Sequence, residues 1–413
     1  KANPGKLNYA STGTGGITHL ATELFDLMAG TKMTHVPYKG TGPAVADVIS
    51  GQITMNFSSL PPAVPQVKAG NLKALGLTSA ASKHEVAKAI AQREGLELEA
   101  AMFANGGCGG LIRNEAEWEQ CAHQKSAAQI PLFDIVKIGD APVQLLPAGD
   151  RPLSGVRMLD LTRVLAGPSC AKAFAEHGAD VIRITRKDLP DLGPPSDVDT
   201  GIGKLQAHID MRDPADAARM HALVKDCDVF LQGYRPGSLA ARGLSPEALA
   251  KARPGIVYTY LSAWGHEGPW AGKRGYDTVV QSFNGMAWRP NNEKPAFLPG
   301  SPHDYIAGYV LAFATMVALH RRATVGGSWL VRTSLAGSGE WFRKLPRFTP
   351  AQYQNLPAEF PPEVLKPLLM ETDSPWGRVT HLAPAVKLSE TPGRWVRPPA
   401  PRGSHAAAWP TRG

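Results

Sequence analysis

Cysteine is scarce in this 413-residue chain. Its four cysteines, Cys108, Cys121, Cys170 and Cys227, lie far apart, with no C-x-x-C pair and no zinc-ligand spacing. That argues against a disulfide scaffold or a zinc module and points to reduced thiols in a cytoplasm. No apolar run reaches the ~20 residues needed to cross a bilayer. The longest nearly apolar stretch, Tyr305 to Leu319, reads as a buried helix. The opening Lys1-Ala2-Asn3-Pro4-Gly5 does not read as an export signal. No solenoid-type repeat is visible, and no zinc-finger, RNA-recognition or basic-zipper pattern occurs.

Positive charge is present in excess, a formal +8, but the Lys and Arg residues are scattered and no run has the density of a nucleic-acid arm. A phosphorylated small molecule is the better partner for such a surface, and neither nucleic acid nor membrane is expected. The 36 prolines crowd toward the last seventy residues, which predicts irregular, surface-hugging chain there.

Four segments, and a linker between the second and third, differ in character. Residues 1–81 are rich in Gly, Thr and Ala, and alternate strand-like with helix-like stretches. Residues 82–138 read as helical, with apolar positions at Val86, Ile90, Leu96, Leu98 and Met102. Gly139 to Ser154, with three prolines and two Gly-Asp steps, reads as a linker. From 153 to 340 the pattern alternates plainly, and 341–413 is the proline-rich remainder. Strands are predicted at 156–161, 181–184, 228–231 and 256–261, with helices at 166–177, 214–225 and 246–252 between or beside them. This implies an α/β fold: a parallel, Rossmann-like sheet wrapped by helices, with partial smaller α/β domains before it. Ligands of such sheets sit beyond the carboxyl ends of the strands, so the loops after each strand carry the chemistry.

Those loops are Thr162-Arg163-Val164-Leu165-Ala166-Gly167-Pro168, Thr185-Arg186-Lys187, Gln232-Gly233-Tyr234-Arg235-Pro236-Gly237, and Ser262-Ala263-Trp264-Gly265-His266-Glu267-Gly268-Pro269 with Arg274-Gly275-Tyr276-Asp277. Each alone has an ordinary reading, as a turn, a solvated cation or a helix cap. In this order they resemble the family III CoA-transferases, the group of formyl-CoA transferase and carnitine CoA-transferase. The resemblance runs through Leu153-Ser154-Gly155-Val156-Arg157-Met158-Leu159-Asp160-Leu161, Leu165-Ala166-Gly167-Pro168 and Glu176-His177-Gly178-Ala179-Asp180-Val181-Ile182. It continues in Tyr234-Arg235-Pro236-Gly237, Gly275-Tyr276-Asp277-Thr278-Val279-Val280-Gln281, Asp304-Tyr305-Ile306-Ala307-Gly308-Tyr309 and Val331-Arg332-Thr333-Ser334-Leu335, with a last echo at Glu390-Thr391-Pro392-Gly393-Arg394-Trp395.

The resemblance implies a homodimer that uses coenzyme A as co-substrate, with no tightly bound cofactor and no metal, acting on acyl-CoA and carboxylate substrates. It makes Asp277 the nucleophile, at an expected helix start (Asp277 to Trp288) where free N–H groups would keep it ionised. It places Val164 and Ala166 near the adenine, Arg186, Lys204 and Arg242 as basic contacts, and Tyr234 beside the nucleotide. Trp264, His266 and Tyr276 would then shape the acyl pocket. Three departures stand out. Lys204 is followed by Leu205 instead of Arg, Arg242 is displaced by one from its expected register, and the glycine-rich lid of formyl-CoA transferase has no counterpart. The racemase branch of the same superfamily places a His before the Asp, and here Tyr276 stands there, which removes half of the proton-transfer pair.

Residues 1–80 resemble a different group, the substrate-binding proteins of tripartite tricarboxylate transporters. The matching stretches are Asn3-Pro4-Gly5-Lys6-Leu7-Asn8-Tyr9, Gly13-Thr14-Gly15-Gly16-Ile17-Thr18-His19-Leu20, His35-Val36-Pro37-Tyr38-Lys39-Gly40 and Ala69-Gly70-Asn71-Leu72-Lys73-Ala74-Leu75. A strand, a glycine-rich turn and a helix (Ile17 to Met28) outline an anion site, although Thr18 in the third glycine position rules out a dinucleotide fingerprint. Only about a third of such a binding protein is present, so the segment reads as a non-functional fused fragment; a carboxylate-binding protein, or an inactive fusion, is the competing reading of the chain. Residues 84–135 resemble the small domain of the CoA-transferases in Leu96-Glu97-Leu98-Glu99 and Leu111-Ile112-Arg113-Asn114-Glu115-Ala116-Glu117-Trp118, in permuted order ahead of the large one.

Overall fold

Alternation of short apolar strands with capped helices is realised as two separate bodies, Lys1–Leu111 and Ile112–Gly413, in a computed structural model. The structure describes residues 6–14, 17–58, 63, 65–67, 69–73, 87, 90–189, 194–290, 293–353, 355–357 and 359–411. The expectations for Asn3 to Gly5, Gly15-Gly16, Ala74-Leu75 and Val86 lie outside them.

In the first body β1 (Asn8–Ser11) leads into α1 (Ile17–Ala29), β2 (Thr34–Pro37) into α2 (Thr41–Ile49), and β3 (Met55–Asn56) follows. The three strands form a parallel sheet in the order β2-β1-β3. Ala10, Ala44 and Ile53 are its buried apolar centre, with Val36, Tyr38 and Val48 packed against them. Helix α3 (Gly95–Ala104) belongs to the same body.

The second body begins with two short helices, α4 (Glu115–Gln120) and α5 (Ala122–Ala127), and then strand β4 (Phe133–Gly139). Asn114 starts α4 by a reciprocal capping box with Glu117. The expectation of helix throughout 82–138 therefore fails at β4, which pairs antiparallel along β10. The chain also does not part at Gly139–Ser154. It crosses there from β4 into the next strand of the same sheet, and the division falls instead between Leu111 and Ile112.

The alternating region follows closely: β5 (Arg157–Asp160), α6 (Ala166–Glu176), β6 (Asp180–Thr185), α7 (Pro194–Gly201), β7 (Leu205–His208), α8 (Pro214–Lys225), β8 (Val229–Gln232), α9 (Pro246–Ala252) and β9 (Val257–Ser262). Then come α10 (Asp277–Phe283), α11 (Pro302–Val325), β10 (Ser328–Ser334) and α12 (Leu335–Arg343), and a hairpin of β11 (Leu369–Ser374) and β12 (Gly377–Leu382). Local chemistry explains the helix starts. Asp213 caps the N–H groups of Ala215 and Asp216 ahead of a Pro at the first turn of α8, and Ser245 caps Ala248 in α9.

The seven-stranded sheet has the order β4-β10-β9-β8-β5-β6-β7, parallel except for β4. Strands β5 and β8 are buried at every residue, as central parallel strands covered on both faces must be. One apolar cluster, with Met158, Phe174, Val229 and Leu311, covers one face. A second, with Leu159, Ile182, Phe230 and Ile256, covers the other. The strand order reverses between β5 and β8, so the crevice outside their carboxyl ends is where this topology opens to a ligand. No helix among the described residues is long and apolar enough to cross a membrane.

Candidate functional site

A cavity of about 930 Å³ opens at that reversal point, lined by the segments that follow β5, β6, β8 and β9. Seven basic residues line it among the described residues, Arg186, Arg235 and Lys273 among them, against two carboxylates, Asp210 and Asp304. A smaller hollow of about 340 Å³, lined by Arg186, Lys187, His208, Trp376 and Arg402, shares Arg186 and Arg402 with it. Such a concave, cation-rich site suits a polyanion with an apolar stem.

Six of the residues expected from the sequence come together here: Val164, Ala166, Arg186, Tyr234, Arg242 and Tyr276 all line the cavity. Val164 has φ 69, a left-handed conformation that is uncommon for a β-branched residue. It turns the backbone directly into α6, whose first residue is Ala166 and which has no side-chain cap. Helix α11 reaches this point because residue 308 is glycine: a Cβ there would lie 2.5 Å from the Ala166 carbonyl oxygen. Tyr234 is largely enclosed, and burial pushes its phenol up. Arg242 donates to the Met211 carbonyl at 3.1 Å, and Arg186 is paired with Asp188. Tyr276 is half exposed on the cavity wall.

Lys204, Trp264, His266 and Asp277 are elsewhere. Lys204 has no exposed surface; its Nζ donates to Asp160 Oδ2 at 2.9 Å and to the Pro168 carbonyl at 2.8 Å. Burial pushes it down to about 8 against the pull of Asp160. It braces the loop from inside and is not a phosphate contact. Trp264 is also fully buried, its Nε1 donating to the Arg274 carbonyl at 3.0 Å. It packs in an aromatic cluster with His123, Trp270 and Phe283, which ties α5 to the loop before α10. His123 bridges Trp264 and Trp270, and burial pushes it down to about 4. His266 does not line the cavity. Its Nε2 is 3.8 Å from Asp134 Oδ2 and 3.6 Å from Glu267 Oε1, and burial lowers it, with Arg332 adding to the effect.

Of the two aspartates expected or found at the start of a helix here, Asp304 lines the cavity and Asp277 does not. The first turn of α11 has no cap of its own, since Ser301 sits in a left-handed conformation with its side chain unengaged. Asp277 serves instead: its Oδ2 accepts the N–H groups of His303 at 2.7 Å and Asp304 at 3.2 Å, and its Oδ1 accepts Gln281 Nε2 at 2.5 Å. Burial works against ionisation there, but the hydrogen bonds from His303 and Gln281 outweigh it and hold Asp277 below the usual carboxylate range. Asp304 has no such donors. Burial, and then the charge of Asp277, push it up to about 7. The two carboxyls are split in the manner of a shared acid pair. The helix expected to run from Asp277 to Trp288 ends at Phe283. Asp304 stood in a quoted motif, and its signal was an acidic residue in the first turn of a long apolar helix, four positions before a glycine.

In the first body, Ser11 Oγ lies 2.6 Å from His35 Nε2, and the Thr12 N–H donates to Thr18 Oγ1 at 2.9 Å.

Comparison with known proteins assigns the two bodies differently. Residues 153–345 match CoA-transferase family III, and residues 1–95 match the tripartite tricarboxylate transporter family receptor. An acyl-CoA transferase of Gibberella moniliformis is 32% identical over 255 residues, which are 58% of this chain and 45% of that protein. Succinyl-CoA:glutarate CoA-transferase of Mus musculus is 31% identical over 202 residues, 46% of each chain. A hypothetical protein of Mycobacterium tuberculosis has a solved structure that superposes with a TM-score of 0.54 at 20% identity, over 63% of this chain and 99% of that one, which shows a shared fold. The chain spans about half the length of the curated relatives it matches.

Proposed function

We propose that the body matching CoA-transferase family III moves CoA from an acyl-CoA thioester to a carboxylic acid, with the chemistry on Asp304 and not on Asp277. The observation that carries this reading is that, of the two carboxylates on the wall of a basic cavity at the strand-order reversal, Asp304 has its proton affinity raised while Asp210 is held low by Arg212.

The energetics ask for covalent catalysis. Exchange of CoA between two carboxylates is near thermoneutral, so the thioester energy must be conserved within the enzyme. A carboxylate nucleophile does this by splitting the exchange into easier steps. The Asp304 carboxylate attacks the thioester carbonyl, forming a mixed anhydride and expelling CoA thiolate. The thiolate then attacks the aspartyl carbonyl, giving an aspartyl-CoA thioester and releasing the first acid. The acceptor carboxylate reverses these two steps and leaves with CoA. A raised proton affinity makes Asp304 the better nucleophile when ionised, and the buried Asp277 cannot turn to the thioester without uncapping α11. Arg186, Arg235 and Arg242 supply the cationic surface for the phosphates, while Val164 and Ala166 let the nucleotide approach backbone.

The test is intact-mass analysis of the chain after incubation with a panel of acyl-CoAs, followed by hydroxylamine or borohydride trapping. The adduct is expected on the peptide carrying Asp304 and is absent in Asp304→Asn. An adduct on Asp277, or wild-type transfer by Asp304→Asn, refutes the assignment.

A second reading has one observation in its favour: a carboxyl at about 7 is also matched to proton transfer at an α-carbon. Tyr276, the residue before Asp277, faces the same cavity with its phenol, and the residue directly before Asp304 is His303. Loss of α-deuterium from a labelled acyl-CoA, without any acceptor acid, would decide for that chemistry.

A further inference from the structure

Asp277 is held by side chains that do not themselves line the cavity, and an amide dictates how the histidine among them is protonated. Gln281 Oε1 accepts the Leu298 N–H at 2.6 Å, which turns its Nε2 toward Asp277. Asn284 Oδ1 accepts the Met286 N–H at 3.3 Å, which turns its Nδ2 toward His303 Nε2 at 3.0 Å. An amide nitrogen only donates, so His303 Nε2 must accept and the ring proton belongs on Nδ1. That Nδ1 is buried and lies 3.4 Å from Asp277 Oδ2, outside hydrogen-bond geometry but close enough for its N–H dipole to attract the carboxylate. The packing that keeps the pair in place depends on a glycine of α12. A Cβ at Gly339 would fall 2.6 Å from Asn284 Nδ2 and 2.8 Å from His303 Nε2.

We infer that His303 is a positioning residue, locked by Asn284 as the Nδ1–H tautomer so that its proton faces Asp277 and keeps that carboxylate seated on the first turn of α11. The inference rests on the role proposed for Asp304, because Asp277 fixes the backbone of residues 303 and 304 and thereby the direction of the Asp304 side chain. Asn284, His303 and Gln281 have almost no exposed surface and do not line the cavity, so they act through Asp277 and not on the ligand.

The tautomer is read directly by nitrogen NMR on the full chain carrying ¹⁵N-histidine, with the His303 signals identified by their loss in His303→Gln. We expect the proton on Nδ1 in the wild type and on Nε2 in Asn284→Asp, whose carboxylate would accept it. In acyl-CoA transfer, Asn284→Asp should lower kcat by about 10²-fold, as a small misplacement of a reacting group does, with KM for the acyl-CoA unchanged. A wild-type proton on Nε2, a tautomer unaltered by Asn284→Asp, or an unchanged kcat overturns the inference. The tautomer is measured without substrate, so that result stands apart from whether CoA transfer is the reaction.

Discussion

Replacing Asp304 by Asn should stabilise the second body at neutral pH and do almost nothing in acid. The side chain keeps its size, and the backbone bond to Asp277 is made by residue 304's own N–H, which the substitution leaves intact. What is removed is the ionisation of a carboxyl raised from 3.8 to about 7 by burial and by Asp277. A folded-state value above the unfolded one means that the native chain holds its proton longer. Wild-type stability is therefore fully present below about pH 4 and is lost as pH rises toward 7. At about 1.4 kcal/mol per pH unit, the loss amounts to about 1 kcal/mol at pH 4.5 and about 4 kcal/mol at pH 8. All nine tryptophans lie beyond residue 111, so their fluorescence during urea unfolding reports the second body alone. The variant should unfold at higher urea than wild type at pH 8, with the difference closing toward pH 4.5. Equal midpoints at pH 8, or a variant less stable there, would refute the placement of a strained carboxyl at 304.

Four further outcomes follow from named contacts. Lys204→Met leaves Asp160 buried without its cation, so it should destabilise the second body by about 3–5 kcal/mol in urea titration, whereas a phosphate ligand would show chiefly as lost CoA affinity. Arg186→Ala should weaken CoA binding measured by calorimetry, and the wild-type affinity should fall between low salt and 0.5 M salt, since exposed ion contacts are screened within about 10 Å; affinity indifferent to both refutes a phosphate role. Asp277→Ala removes the side-chain oxygen that accepts the His303 and Asp304 N–H groups on the first turn of α11 and should cost about 1–2 kcal/mol, while Asp277→Asn retains an acceptor and should recover part of it in the same titration. The outer face of α11 carries Tyr309 and Phe313 at 49% and 59% exposure, which a second copy would cover, so sedimentation at micromolar concentration should show a dimer and a monomer would count against it.

The local periodicities carried the strands at β5, β6, β8 and β9 and the helices α6, α8 and α9, because central parallel strands must be continuously apolar and their helices begin at recognisable caps such as Asp213 and Ser245, but they missed α7 and the short edge strand β7. Loops after the strands of such a sheet converge whatever their sequence separation, and six of the residues that the resemblance implied line one cavity. Strand β4 escaped the periodicities because its partner, β10, lies nearly two hundred positions away and only pairing shows that Phe133–Gly139 is an edge of the sheet. The roles of single side chains were also out of reach. Lys204 follows a glycine turn as a cation exposed to ligand would, and only the packing of α6 over β5 turns it inward to Asp160. Asp277 and Asp304 are both acidic residues in the first turn of a helix, and composition and spacing cannot rank them. The choice was made by the missing cap at Ser301, which drew Asp277 onto the start of α11 and left Asp304 desolvated on the cavity wall.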